Sequence, residues 1–492
     1  MLAHLPVLQV VVPLLAAPLS MFLRHPRLVW MLAMVATGGT VVISFLLLQT
    51  VLANGTVSYM LGGWQAPWGI EYRIDQLNAY ILVLVSSLGT VVLMAAPYSL
   101  DKELPADRHQ LFYVAYLLCF AGLLGVVATG DAFNLFVFLE ISSLSSYTLI
   151  ALGRDRRALT AAYRYLVMGT IGATFILIGI GLMYMATGTL NMYDLSQRLP
   201  EATQHRTLLA ALAFFVVGVC LKLALFPLHQ WLPNAYAQAP SIVTAFLAAT
   251  ATKVAIYVLI RFVYSVFGVE FSFVTVPLQK IFLIMSLLAI FVGSIAAVYQ
   301  TNIKHVFAYS SVAQIGYIIL GFSLVTATGL TAALLHLFNH ALMKAALFLA
   351  VGAVVYRLGN SELKSFAGIG RQMPWTMAAI VIGGLSLIGV PLTVGFISKW
   401  YLVLAALERG WWPIAVLILF GSLIAIVYVW RVVEIAYFQP AKNRDSEIKE
   451  APLGLLLPIW LLVAANVYFG IDTRLTLGVS EIVTVTLFGA WQ

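Results

Sequence analysis

Residues Leu330–Tyr356 read LTAALLHLFNHALMKAALFLAVGAVVY. The run is apolar and long enough to cross a hydrocarbon core as a helix, which takes about 20 residues, yet it contains His336, His340 and Lys344. These three stand at i, i+4 and i+8, so they share one helix face over two turns. A charge near the bilayer centre costs about 2.5–3.5 kcal/mol by insertion scales and must face a bundle interior, a partner or water. A polar stripe on a membrane helix therefore requires other helices around it.

The rest of the chain supplies them. Of 492 residues, 62% are hydrophobic and 9% charged, against about 25% charged in a soluble domain. Fourteen spans are predicted: Pro6–Phe22, Leu28–Leu52, Leu77–Tyr98, Leu111–Thr129, Ala132–Leu152, Leu166–Ala186, Thr207–Leu228, Ile242–Phe262, Ile281–Tyr299, Val306–Val325, Leu330–Tyr356, Met377–Leu407, Trp412–Phe438 and Leu453–Gly470. The expected fold is an all-α polytopic membrane protein with no soluble domain. The first span holds Pro13 and Pro18 and runs into another apolar stretch without a small-residue cleavage site, so it reads as retained rather than as a signal peptide. Cys119 and Cys220 both fall within spans, which implies neither a disulfide nor a metal framework. The chain has no cysteine ligand set for a cluster and no glycine-rich nucleotide fingerprint, so no cofactor is implied.

Basic residues are unequally shared between alternate loops. Those after odd-numbered spans carry Arg24, Arg27, Lys102, Arg108, Arg154, Arg156, Arg157, Arg164, Lys304, Arg357, Lys364, Arg371, Lys442, Arg444 and Lys449. The even-numbered set carries Arg73, Arg198, Arg206, Arg261, Lys280, Arg409 and Arg474. Basic residues collect in short cytoplasmic loops, which predicts a multi-pass protein of the cell membrane with both termini extracytoplasmic. The same bias accounts for the net charge of +8 without a nucleic-acid partner. The cluster Arg154-Asp155-Arg156-Arg157 can also dock acidic lipid.

Lys222, Lys253, Lys344, Lys399 and Arg431 remain inside spans. Lysine suits a movable proton because burial disfavours its charged form, whereas arginine stays charged. Glu140, in the fifth span, is the natural counter-ion for Lys222. The competing reading is that the lysines only pair with carboxylates or snorkel to an interface. For His336, a relay role and a hydrogen-bonded structural role stand side by side; His340 and Lys344 fit a relay better. Thr250, Lys253 and Tyr257 share a face of the eighth span. Arg431 and Glu434, at i and i+3 near the end of the thirteenth span, are expected to form a local ion pair, with a structural role and a cytoplasmic exit standing side by side.

Two spans combine proline with a buried lysine: Lys222-Leu-Ala-Leu-Phe-Pro227 in the seventh and Pro391-Leu-Thr-Val-Gly-Phe-Ile-Ser-Lys399 in the twelfth. Proline frees backbone groups that lipid cannot satisfy, and matched interrupted helices point to inverted repeats around a midplane ion site. Spans four to eight and nine to thirteen are expected to be those repeats. The predicted divisions are 1–109 as a three-helix segment, 110–265 and 275–438 as the repeats, and 439–492 as a final helix and tail.

Four stretches carry a resemblance: Phe226-Pro-Leu-His-Gln-Trp-Leu-Pro233-Asn-Ala-Tyr-Ala-Gln-Ala-Pro240 followed by Lys253; Phe138-Leu-Glu140-Ile-Ser-Ser-Leu-Ser-Ser-Tyr147; Lys304-His-Val-Phe-Ala-Tyr-Ser-Ser-Val-Ala-Gln-Ile-Gly316; and His340-Ala-Leu-Met-Lys344-Ala-Ala-Leu-Phe. Together they resemble the proton-translocating antiporter-like subunits of respiratory complex I, membrane-bound hydrogenases and Mrp-type sodium/proton antiporters. The text around Glu140 is most similar to D-type Mrp subunits and their counterpart in hydrogenases, with the M- and N-type subunits of complex I as the alternative. The resemblance implies a fourteen-helix fold with inverted five-helix repeats, broken helices 7 and 12, and a hydrated polar axis. It implies that Glu140 and Lys222 are the coupling pair, Lys253 the central lysine, His340 and Lys344 the link between halves, and Lys399 the terminal lysine. It also implies H+ as a substrate; Na+ stays open, because its usual oxygen ligands, in Ser, Thr and carbonyl groups, are too plentiful for spacing to single any out. Only Ile471–Gln492 follows the last span, where the largest members of the family carry a lateral helix and further spans. A middle position in a row of partner membrane subunits is therefore expected. Two other functions stay open: a subunit of a redox-driven complex whose chemistry lies in its partners, and a scaffold that moves nothing.

Overall fold

The computed structural model describes residues 4–23, 25–203, 205–440 and 448–489. Arg24, Lys442 and Arg444, counted above among the basic loop residues, lie outside the described residues.

The chain opens with α1 (Leu5–Phe22) and α2 (Pro26–Asn54), followed by a two-stranded antiparallel hairpin, β1 (Val57–Met60) and β2 (Glu71–Ile74), in which Val57 pairs with Ile74. Next come α3 (Gln76–Met94), α4 (Ala96–Glu103), α5 (His109–Ala128), α6 (Ala132–Ala151), α7 (Arg156–Thr187), α8 (Met192–Arg198), α9 (His205–Leu223), α10 (Trp231–Gln238), α11 (Ser241–Ala249) and α12 (Ala251–Ile260). The second half holds α13 (Leu278–Tyr299), α14 (Ile303–Ser323), α15 (Ala327–Leu358), α16 (Ile369–Gln372), α17 (Pro374–Ile388), α18 (Val394–Glu408), α19 (Trp412–Phe438), α20 (Leu453–Ile471) and α21 (Arg474–Gly489).

Among the described residues, thirteen helical stretches are long and apolar enough to cross a membrane. The twelfth predicted span accounts for the fourteenth crossing: it is divided into α17 and α18, of 15 residues each. The seventh is interrupted as expected, α9 giving way to irregular backbone before α10. The eighth, read from sequence as continuous, is broken at Thr250 (φ −121°, ψ −58°) between α11 and α12. The hairpin and α21 went unforeseen, since each is short and follows what reads as the end of a span.

Two sets of five crossings follow the first three, α5 to α12 and α13 to α19, each with its fourth crossing broken. Five is odd, so the second set enters from the opposite face, and the topology of the repeats is inverted. The hairpin marks one face. His4 lies 3.1 Å from the Tyr59 hydroxyl on β1, and Phe488 of α21 packs on Tyr264 just beyond α12. Both described ends of the chain therefore lie on the hairpin face.

Burial is deepest where the two sets meet. Every residue of α15 from Gly329 to Val354 is buried, whereas α19 and α7 expose large apolar side chains such as Phe420, Trp430, Leu159 and Tyr163. An apolar exterior around an interior containing His and Lys is the arrangement lipid imposes.

Candidate functional site

Lys222 stands one residue before α9 ends at Leu223, where Ala224 takes a left-handed conformation (φ 59°). The break exposes backbone acceptors, and the Leu221 carbonyl receives the Trp231 indole N–H at 2.9 Å. Lys222 is thus free to reach α6: its Nζ is 3.3 Å from Glu140 Oε1 and 2.7 Å from Ser143 Oγ. The lysine side chain is 5% exposed and that of Glu140 26%. Their attraction therefore falls between the water-screened and the buried limits.

Lys253 is fully buried. The break at Thr250 releases the Ala248 carbonyl from helical bonding, and Lys253 Nζ donates to it and to Thr252 Oγ1 at 3.4 Å. The hydroxyl beside this lysine is therefore Thr252. Thr250 instead bonds the Phe246 carbonyl at 2.7 Å, and Tyr257 is engaged by Asn78 and Val127. A side chain that folds back along its own helix meets neighbours that face-sharing on an unbroken helix does not anticipate. No carboxylate forms an ion pair with Lys253 among the described residues.

The stripe on α15 is held by one face of α14. Lys344 Nζ donates to Ser310 Oγ at 2.5 Å and to the Phe307 carbonyl at 2.8 Å. His336 Nε2 is 2.9 Å from Gln314 Oε1, and its Nδ1 is 2.8 Å from Ser398 Oγ on α18. Tyr317 places its ring 4.7 Å beneath Lys399 Nζ. Ser310, Gln314 and Tyr317 fall at i, i+4 and i+7 of α14 and so present one face. That face serves Lys344, His336 and Lys399 in order. The His336 and His340 rings are near parallel, 8° apart, with centroids 6.3 Å apart. Neither nitrogen of His340 has a hydrogen-bond partner among the described residues.

Lys399 closes the row. Its Nζ donates to the Leu387 and Ile388 carbonyls at 2.8 and 2.9 Å and to Ser422 Oγ at 3.0 Å. Those carbonyls belong to the last turn of α17, left without intrahelical partners by the break at Gly389 (φ 92°) and Leu392 (φ 69°). The lysine thus caps the helix end that its own proline-containing turn creates. Of the seven residues singled out from sequence, Glu140 and Lys222 form an ion pair, Lys344, His336 and Lys399 are held along one face of α14, and Lys253 and His340 are fully buried.

Residues 129–425 match the family described as NADH:quinone oxidoreductase/Mrp antiporter, transmembrane region. The chain belongs to that family. The N-type subunit of the NADH-quinone oxidoreductase of Desulforudis audaxviator is 42% identical over 96% of this chain and 96% of its own length. The D-type subunit of the Na(+)/H(+) antiporter of Alkalihalophilus pseudofirmus is 32% identical over 95% of this chain and 94% of its own. Among solved structures, a chain of the Mrp complex from Dietzia sp. shares the fold with a TM-score of 0.91 at 24% identity, covering 99% of this chain and 98% of that one. A chain of the membrane-bound sulfane sulfur reductase, an archaeal respiratory membrane complex, superposes with a TM-score of 0.88 at 30% identity, covering 99% and 97%. These family members are subunits of multisubunit membrane assemblies.

Three charged groups were misread from sequence. Lys304, assigned to a loop, is buried at the start of α14; it donates to the Ala239 carbonyl at 3.0 Å and stands 4.0 Å from Glu103 Oε2, which also receives the Ser241 N–H at 2.8 Å. Arg261, counted from sequence with the basic residues at the end of the eighth span, is paired with Asp75 at 2.7 Å. The signal for Arg261 was present: it follows Lys253 and Tyr257 at the same four-residue spacing. The expected Arg431–Glu434 pair is not formed. Arg431 donates to the Val298 carbonyl and, at 3.0 Å, to that of Gln300, at the end of α13, because free C-terminal carbonyls attract a guanidinium.

Proposed function

We propose that this chain carries protons along the row Glu140, Lys222, Lys253, His340, Lys344, His336 and Lys399, as the D-type member of a multisubunit Na+/H+ antiporter. The observation that supports this most is the Glu140–Lys222 pair at 3.3 Å, standing at the partly open end of a row that is otherwise buried. A proton arriving on Glu140 removes the attraction that holds Lys222; the ammonium is then free to act on Lys253 and, through it, on the α15 stripe. Loss of transport in Glu140→Gln or Lys222→Met vesicles, with normal assembly, is the expected result. Full transport in either variant overturns the reading.

The basic loops orient the hairpin face away from the cytoplasm, with both termini extracytoplasmic. Residues 110–265 and 275–438 are the two repeats, with 1–109 and 439–492 flanking them. The partners are other membrane subunits of the same assembly, and lipid covers the exposed apolar faces. The 42% identity to the N-type subunit of an NADH-quinone oxidoreductase favours a second reading, in which the same axis is driven by redox subunits. Purification of the tagged chain separates the two: iron–sulfur subunits among its partners support the redox-driven complex, and exclusively membrane subunits support the antiporter.

A further inference from the structure

Besides the row itself, one more polar network touches α12, and it leads from Lys253 toward the hairpin face. Lys253, Tyr257 and Arg261 stand at i, i+4 and i+8, so the tyrosine lies one turn and the arginine two turns nearer that face. Arg261 NH1 is 2.7 Å from Asp75 Oδ2, and its NH2 donates at 2.8 Å both to Asp75 Oδ1 and to Asn78 Oδ1. Asn78 Oδ1 also receives the Asp75 backbone N–H at 3.1 Å. Asn78 Nδ2 in turn donates to the Tyr257 hydroxyl at 2.8 Å and to the Val127 carbonyl. Tyr257 gives its own proton to Val127 at 3.2 Å. Above this network, among the loops of the hairpin face, lies a cavity of about 80 Å³ lined by Asp75, Asn78, Arg261, Thr129, Tyr193 and Ser196, large enough for water.

A hydroxyl passes a proton by accepting one and releasing its own. In the arrangement seen, the Tyr257 oxygen is occupied by the Asn78 amide and its proton by Val127, and an amide cannot continue the relay. Asn78 is thus a plug, and the Asp75–Arg261 pair is what fixes it. The alternative role, a capping box in which Asp75 and Asn78 cap the start of α3 reciprocally and nothing more, explains Asp75 and the Asn78 oxygen but not why the Asn78 amide nitrogen is turned onto the hydroxyl of Tyr257.

We propose that Tyr257, Asn78, Asp75 and Arg261 form a gated outlet from Lys253 to the hairpin face, shut in this structure. The inference rests on the proton-path reading of the row. When Arg261 releases Asn78, water from the outer cavity reaches Tyr257. The Lys253 ammonium then gives its proton to water, Tyr257 passes one proton outward, and Lys253 is left neutral until it is reloaded from the Lys222 side. Asp75, Asn78 and Arg261 are positioning residues in this scheme.

The test is passive proton leak: the collapse of an imposed ΔpH in vesicles carrying the assembled complex. Removing a charged hydrogen bond that holds the shut form favours opening by about tenfold or more, so Asp75→Asn and Asn78→Ala should each raise the leak by about that factor. Adding Lys253→Met should return the leak to the wild-type rate, which a merely loosened fold would not do. Should Asp75→Asn not assemble, Arg261→Lys, which keeps the charge but not the fork, carries the test. A wild-type leak in the assembled variants, or a leak that persists without Lys253, overturns the outlet. Glu140→Gln in the same vesicles keeps the two claims apart: retained transport there removes the row itself, whereas lost transport with no leak in Asp75→Asn removes only the outlet.

Discussion

Replacing Glu140 by Gln removes one charge while keeping an acceptor oxygen and the shape of the side chain. At the observed 3.3 Å, Coulomb's law gives about 5 kcal/mol at an effective dielectric of about 20 and about 1 kcal/mol in bulk water. The pair sits between these limits because Glu140 is 26% exposed and Lys222 only 5%. A loss of about 3 kcal/mol follows, equivalent to about two decades in the occupancy of the charged lysine. Ser143 at 2.7 Å still holds the lysine, so the fold should survive. In ΔpH-quench assays on vesicles, transport by Glu140→Gln should fall about 100-fold, into the background, with the assembled complex present at its normal level. Lys222→Met should do the same, and the double variant should be no worse than either, since both remove one interaction. Transport within about twofold of wild type in Glu140→Gln would refute the argument from the pair.

Other consequences concern the far end, the helix caps and the C-terminal corner. Lys399→Met should abolish transport and also lower thermal stability of the purified complex, because it strands the Leu387 and Ile388 carbonyls at about 1–3 kcal/mol for each unsatisfied group. Arg431→Met should cost about 2 kcal/mol by loss of charged bonds to the end of α13 yet leave transport intact, as an arginine that only caps must do. At the turn into α21, hydrogen bonds from Arg474 hold the Asp472 carboxyl down to about 2. A depressed carboxylate stabilises above its unfolded value and loses that contribution as pH falls through the folded one. Hydrogen exchange at the start of α21 should therefore be the same at pH 7 and pH 5 in the wild type, once the intrinsic pH dependence of exchange is divided out, and less protected at both in Asp472→Asn.

Much of this site was legible in the sequence because lipid makes charge conspicuous. Each of Lys222, Lys253, Lys344 and Lys399 interrupts an apolar run, and the proline beside Lys222 and the one before Lys399 marked the broken helices. What the sequence did not reveal depends on backbone departures without a proline. The break at Thr250 follows no residue that forbids a helix; it is stabilised by Lys253 turning back to the Ala248 carbonyl, a contact that exists only after the break. Lys304 and Arg261 lie at the ends of apolar runs, where a sliding boundary counts them with the loop residues and span ends, and only packing reveals that Glu103 and Asp75 cover them. Arg431 shows the opposite failure: a neighbour at i+3 was available, but helix-end carbonyls across the bundle won.

Proton transfer along the buried row requires that it be a wet, continuous path. A density map of the assembled complex fine enough to show ordered water tests it directly. Water bonded to at least one ring nitrogen of His340, and continuing to Lys253 on one side and Lys344 on the other, is the expected result. Apolar side chains closing off His340, with no water between those three residues, would contradict it.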